Sequence, residues 1–285
     1  MFDRLVRSWH LVKASTNVLR ADPELLLFPL ISGLAALAVM ASFALPVFGL
    51  NALGHLSGGT GNLLSASALL AGFAFYVCLY FVMFYFNVAL VAAAMIRFSG
   101  GDPTLSDGLR VANTKLGSIL GYAVIAATVG MVLRAIQERV EVLGRLIVSM
   151  LGAGWTVATY LVVPVLVTRD IGPIDAIKES ATILKKTWGE NIAGQAGIGA
   201  VFGLLYLLVV LIGFSMVYAI VSSGAGAIAI GLGFLAWLVA LVTTALAHAA
   251  LGGIYAAALY CYATGHPGVN GFDLNALNQA FAPKG

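Results

Sequence analysis

The stretch Leu25 to Leu50, LLLFPLISGLAALAVMASFALPVFGL, decides the fold. It holds no charged side chain and exceeds the roughly 20 residues a helix needs to cross a hydrocarbon core about 30 Å thick. It is too long for the core of a secretory leader, about 7 to 15 residues, and no short basic start precedes it, so it is expected to stay in the mature chain. Five more apolar runs follow: Leu63 to Ile96, Leu116 to Leu133, Leu146 to Val167, Ile192 to Val221 and Ala225 to Tyr262. Lipid supplies no hydrogen bonds, so a spanning segment must be a helix or a strand of a closed barrel. These runs are continuously apolar and rich in Leu, Ala and Gly instead of alternating with polar residues, which selects helices. The fold class is therefore an all-α polytopic transmembrane bundle of six spans.

Composition agrees. Of the 285 residues, 61% are hydrophobic and 9% charged, with a mean hydropathy of +0.99; a soluble domain carries about 25% charged residues. Too few polar groups remain to cover a water-facing surface. Cys78 and Cys261 both lie inside apolar runs, where a thiol acts as a small hydrophobe, and no CxxC pair exists. The net charge of +3 comes with no basic domain that could serve a nucleic acid.

The second, fifth and sixth runs are longer than one perpendicular crossing requires, so tilt, extension beyond the bilayer or a break is expected. In the sixth, Gly231 and Gly233 mark the expected bend. An even number of spans places both termini on one side. Arg4, Arg7, Lys13, Arg20, Arg97, Arg110, Lys115, Arg169, Lys178, Lys185, Lys186 and Lys284 fall on that side, against Arg134, Arg139 and Arg145 on the other. The positive-inside rule makes the first side cytoplasmic, as in a multi-pass protein of the cell inner membrane.

Each pair of spans is preceded by a segment with helical periodicity and one apolar face. Phe2, Leu5, Trp9, Val12, Thr16 and Leu19 form the first stripe; Leu105, Leu109, Ala112 and Leu116 the second; Ile174, Ile177, Ala181, Leu184 and Trp188 the third. Such short amphipathic helices suit the headgroup boundary or the underside of a bundle. Asp102-Pro103 and Gly172-Pro173 mark two of their starts, since proline lacks the amide hydrogen that the first helical turn leaves unsatisfied. The chain reads as one membrane domain, 1–285, built from three repeats at 1–97, 98–168 and 169–264, with a short tail at 265–285.

Ionisable groups inside a bilayer are functional candidates by default. His248 is the one histidine deep within a span, and Asn87 lies in the second span. Each reads either as a polar site for a proton or solute or as a bond to a neighbouring helix. Glu190, Asn191 and Gln195 open the fifth span in a capping position, and Arg134 and Glu138 have the spacing of a helical ion pair. Ala245, Ala249, Gly253, Ala257 and Cys261 recur every four residues, and Gly199 with Gly203 forms a GxxxG, a pattern that brings helix backbones together within the chain or between copies. The aromatic residues from Phe73 to Phe86 surround their helix, as packing and lipid contact require. No HExxH, GxSxG, Walker A motif or paired-carboxylate cluster is present.

The segments Ser8-Trp9 through Phe28-Pro29-Leu30, Gly100-Gly101-Asp102-Pro103, Val163-Pro164-Val165-Leu166, Gly172-Pro173 and Ser180 through Trp188-Gly189-Glu190 resemble an uncharacterised prokaryotic family of six-span membrane proteins over nearly the whole chain. A more distant similarity is to the membrane domain fused to some bacterial glycerophosphodiester phosphodiesterases, without the catalytic barrel. The resemblance implies the architecture and no activity.

The leading expectation is a non-enzymatic membrane module needing no cofactor or metal. Arg4, Arg7, Lys13, Arg20, Lys178, Lys185 and Lys186 are its candidate contacts to anionic lipid or a partner protein. Membrane lipids, a second copy or another membrane protein are the expected partners, and nucleic acid is not one. The competing expectation is a transporter or channel for a small or lipidic solute centred on Asn87 and His248.

Overall fold

The computed structural model describes residues 16–57, 66–224 and 226–265. A short helix at 16–21 and a 3-10 turn, Pro23–Leu26, lead into α1 (Leu27–Ser57), α2 (Ala66–Phe98), α3 (Leu105–Thr114), α4 (Leu116–Gln137), α5 (Val142–Ala158), α6 (Val162–Thr168), α7 (Pro173–Ser222) and α8 (Ala227–Thr264). No strand occurs among the described residues. Among the described residues, six helical stretches are long and apolar enough to cross a membrane: Pro23–Ala44, Leu69–Phe98, Leu116–Gln137, Leu143–Thr168, Ile198–Ser222 and Ala227–Cys261. They fall on the six apolar runs of the sequence, and the fold is all-α.

Local chemistry sets the element ends. α2 stops at Gly100, whose φ of 85° is open to glycine at little cost. The Gly101 amide donates to Ile96 O at 3.0 Å and the Gly100 amide to Arg97 O at 2.9 Å, the paired bonds of a Schellman ending. α3 starts two residues later than Asp102-Pro103 predicts. Thr104 is its N-cap, accepting from the Asp107 amide at 3.3 Å while its own amide donates to Asp107 Oδ2 at 3.1 Å. At α7 the expected signal holds, with Gly172 as N-cap and Pro173 in the first turn.

Three departures from the sequence reading concern continuity. α8 runs unbroken through Gly231 and Gly233, and a Cβ built at Gly233 would lie 2.5 Å from Ile220 Cδ1, so this glycine admits a side chain of α7. The third periodic segment is not a separate helix: it continues into the fifth span as the 50-residue α7. The break falls instead in the fourth span, between α5 and α6. Pro164 explains it, because a proline has no amide hydrogen to donate and its ring crowds the carbonyl four residues back, here that of Tyr160.

Surplus helix length is spent at one end of the molecule. At 1.5 Å per residue, the 33 residues of α2, 50 of α7 and 38 of α8 span about 50, 75 and 57 Å, each well beyond a hydrocarbon core of about 30 Å. The buried core gathers the last part of α2 (Val88 to Ala94, Phe98), Ala112 of α3, α6, Ala176 and Leu184 of α7, and Ala250 to Tyr260 of α8. Residues 204–222 of α7, 227–243 of α8 and 143–151 of α5 are by contrast mostly exposed apolar side chains, Leu143 at 73% and Ile228 at 82% among them. A packed end thus carries six largely bare spans.

Candidate functional site

At the packed end, the break in the fourth span is closed by one side chain. Ser180 of α7 is fully buried. Its hydroxyl accepts the Leu161 amide at 3.0 Å and donates to Ala158 O at 2.7 Å. A buried polar group left without a partner costs about 1–3 kcal/mol, so this hydroxyl is what makes an interrupted helix tolerable there. Beyond it, α6 is buried from Val162 to Leu166.

The outer surface of this end is laced by ion pairs. Lys115, between α3 and α4, donates to Arg169 O at 3.0 Å and pairs with Asp170 Oδ1 at 3.1 Å, tying that junction to the turn between α6 and α7. Arg169 pairs with Glu179 at 2.8 Å, and Thr168 Oγ1 donates to the Tyr260 hydroxyl at 2.8 Å. Donation to the Tyr260 hydroxyl oxygen and the charge of Glu179 hold the pKa of the Arg169 guanidinium above its usual value. Arg97 Nε sits 2.9 Å from Asp22 Oδ2, an ion pair whose angles fall outside hydrogen-bond geometry, and 3.8 Å separates Arg97 from Asp102. Burial raises the Asp22 carboxyl, and the charge of Arg97 only partly offsets it.

The basic residues singled out in the sequence divide into three groups. Lys178 is exposed and pairs with Asp175 at 3.2 Å. Arg20 and Lys185 are exposed and make no ion pair with another described residue. Arg4, Arg7 and Lys13 lie outside the described residues, as does the side chain of Lys186.

The intramembrane candidates lie on different contacts. His248 is half-buried between α7 and α8, stacked on Phe202 with ring centroids 4.4 Å apart and edge-on to Tyr206 at 5.9 Å. Asn87 is half-buried on α2 beside Gly253, where a Cβ would lie 3.4 Å from its Oδ1 and 2.6 Å from Leu90 Cδ2. The stripe on α8 is split: Gly253 and Ala257 are buried, Ala245 and Ala249 exposed. Gly199 and Gly203 face open space, so the GxxxG serves no packing within the described chain. Arg134 bonds Glu138 at 2.9 Å as its spacing predicts, and also reaches the Tyr76 hydroxyl at 3.0 Å, linking α4 to α2 at the far end. Among the described residues no cluster of His, Cys, Asp and Glu could hold a metal ion.

Sequence reading missed Ser180 as the closing group and the Phe202–Tyr206 partners of His248. Pro164 inside an apolar run was the available signal for the first. Nothing local to either helix signals the second.

Six apolar helices joined by a packed, ion-paired end define a multi-pass helical membrane protein. Residues 66–272, well over half of the chain, match the family of unknown function DUF6159, and the protein belongs to that family. The match carries no likeness to a phosphodiesterase. No curated protein matches the chain.

Proposed function

We propose that the protein is a non-enzymatic module of the cell inner membrane whose packed end faces the cytoplasm and engages anionic lipid headgroups. The carrying observation is the pairing pattern at that end. Arg97, Arg110, Lys115, Arg169 and Lys178 are committed to carboxylates. Arg20 and Lys185 are exposed without one, with Arg4, Arg7, Lys13 and Lys186 close by in sequence. A basic side chain near an anionic leaflet is worth about 1 kcal/mol, and the positive-inside bias supports the orientation. The amphipathic faces of α3 and of the start of α7 fit the same headgroup level.

The test is lipid selection. Protein purified from mixed phosphatidylglycerol and phosphatidylcholine bilayers should retain the anionic lipid in excess. The combined variant Arg20→Gln, Lys185→Gln, Lys186→Gln should lose that excess. Equal retention by both proteins removes the reading, and a co-purifying chain lost with the same variant moves it to a partner protein.

Transport is the second reading, and the interrupted fourth span favours it, since transporters place binding sites at such breaks. Against it, the open backbone groups are already satisfied by Ser180 and the surrounding core is apolar. Flux across proteoliposomes that His248→Ala abolishes would reverse this ranking.

A further inference from the structure

Beyond the basic surface, the α7–α8 hairpin carries a second polar feature. His248 and Tyr206 lie where the packed end gives way to bare span: Phe202 and Ala250 are buried, whereas Leu204 and Leu205 on one helix and Ala245 and Ala249 on the other are exposed. Neither the imidazole of His248 nor the hydroxyl of Tyr206 makes a hydrogen bond to another described residue, and their rings stand 5.9 Å apart. Two turns further along α8, in the packed end, the Tyr255 hydroxyl is buried with no hydrogen-bond partner among the described residues. Polar groups facing lipid without partners are costly, and a histidine and a phenol are each both donor and acceptor. Arg, Lys, Asp and Glu are all absent from α8 and from α7 beyond Glu190, so nothing there complements an ionised headgroup.

We propose that His248 and Tyr206, backed by Phe202, form a bilayer-facing site for a neutral lipid alcohol of the diacylglycerol class. The lipid's free hydroxyl and ester carbonyl bond the imidazole and the phenol. Its acyl chains run down the exposed apolar surface beside Ala245 and Ala249, where small side chains leave room. The ring of His248 is already fixed by stacking, which lowers the ordering cost of binding.

Photolabelling tests the site. Protein in phosphatidylcholine nanodiscs is illuminated with a diacylglycerol carrying a diazirine on one acyl chain, and labelled peptides are mapped by mass spectrometry. The expected label concentrates on the α7 and α8 peptides holding Tyr206 and His248. Unlabelled dioleoylglycerol displaces it, and the same excess of phosphatidylglycerol does not. Tyr206→Phe, which deletes one hydroxyl and keeps the ring, should weaken dioleoylglycerol competition about fivefold, the loss of one hydrogen bond; His248→Phe should do the same. Label spread over all lipid-facing peptides in proportion to exposure overturns the proposal. So does equal displacement by phosphatidylglycerol, or wild-type competition in Tyr206→Phe. Should His248→Phe fail to fold, Tyr206→Phe alone decides. Because the Arg20, Lys185 and Lys186 substitutions leave this site intact, its failure and that of the anionic-lipid reading are separable.

Discussion

The hydroxyl of Ser180 accepts the amide hydrogen of Leu161 at 3.0 Å and returns its own proton to Ala158 O at 2.7 Å, so one α7 side chain closes both edges of the gap in the fourth span. Beyond the closed gap, helix α6 lies in the core, buried from Val162 to Leu166. Ser180→Ala is expected to leave an amide and a carbonyl buried without partners and to destabilise the protein by about 1–3 kcal/mol. Unfolding in mixed micelles measures this, and Ser180→Thr should recover part of the loss. An unchanged midpoint for Ser180→Ala would mean that water reaches the gap.

A second prediction concerns how closely α3 sits on α2. A Cβ added at Gly108 would lie 2.5 Å from Ala89 O and 2.7 Å from Phe28 Cζ. Phe28 can turn aside, but a helix carbonyl cannot. Gly108→Ala should therefore lift α3 away from α2 and cost about 1–3 kcal/mol by overpacking, more than offsetting the better helix propensity of alanine. Hydrogen exchange across residues 105–114 reads the effect directly. Unaltered protection there would show that α3 tolerates the wider spacing.

The spans and the α7 start were legible because each has a local cause: hydropathy over some 20 residues, or a proline in the first turn. What escaped had its cause elsewhere in the chain. The packed end arises because three long helices extend their surplus in the same direction, and no single run reveals in which direction its excess lies. Gly199 with Gly203 and Gly253 with Ala257 look alike in sequence, yet the first pair faces open space and the second is buried against α2. Helix–helix spacing, not the four-residue recurrence, separates them. Pro164 was readable, and the fourth run should have been divided there.

Two carboxylates should respond to pH with opposite signs. Burial holds Asp22 above its ordinary 3.8, so its contribution to stability is full below 3.8 and is lost as pH rises through the folded value. Hydrogen bonds from Thr104 hold Asp107 below 3.8, so its contribution is present above 3.8 and is lost as pH falls through its folded value. Relative to wild type, Asp22→Asn should gain stability as pH climbs from 3.8, and Asp107→Asn should lose its deficit as pH drops below it. A wild type that gains on Asp22→Asn with rising pH would mean that the Arg97 pair outweighs burial.

The last prediction follows from lengths. Residues 203–222 of α7 and 227–249 of α8 are the stretches left largely bare, and at 1.5 Å per residue they span about 30 and 35 Å. Helix α4, which begins at the packed end, has 22 residues and spans about 33 Å. All three match one hydrocarbon thickness, which sets the packed end at the headgroup level and His248 and Tyr206 at the boundary. Nitroxides at Ile212 and Leu238, 63% and 45% exposed, should then collide mainly with oxygen, which concentrates in the acyl region. Labels at the exposed positions Ser106 and Thr182 should collide mainly with a water-soluble nickel chelate. If Ser106 and Thr182 were as oxygen-rich as Ile212, the packed end would lie within the acyl chains. The ion pairs Lys115–Asp170 and Arg169–Glu179 would then be shielded from water, and their strength would rise accordingly.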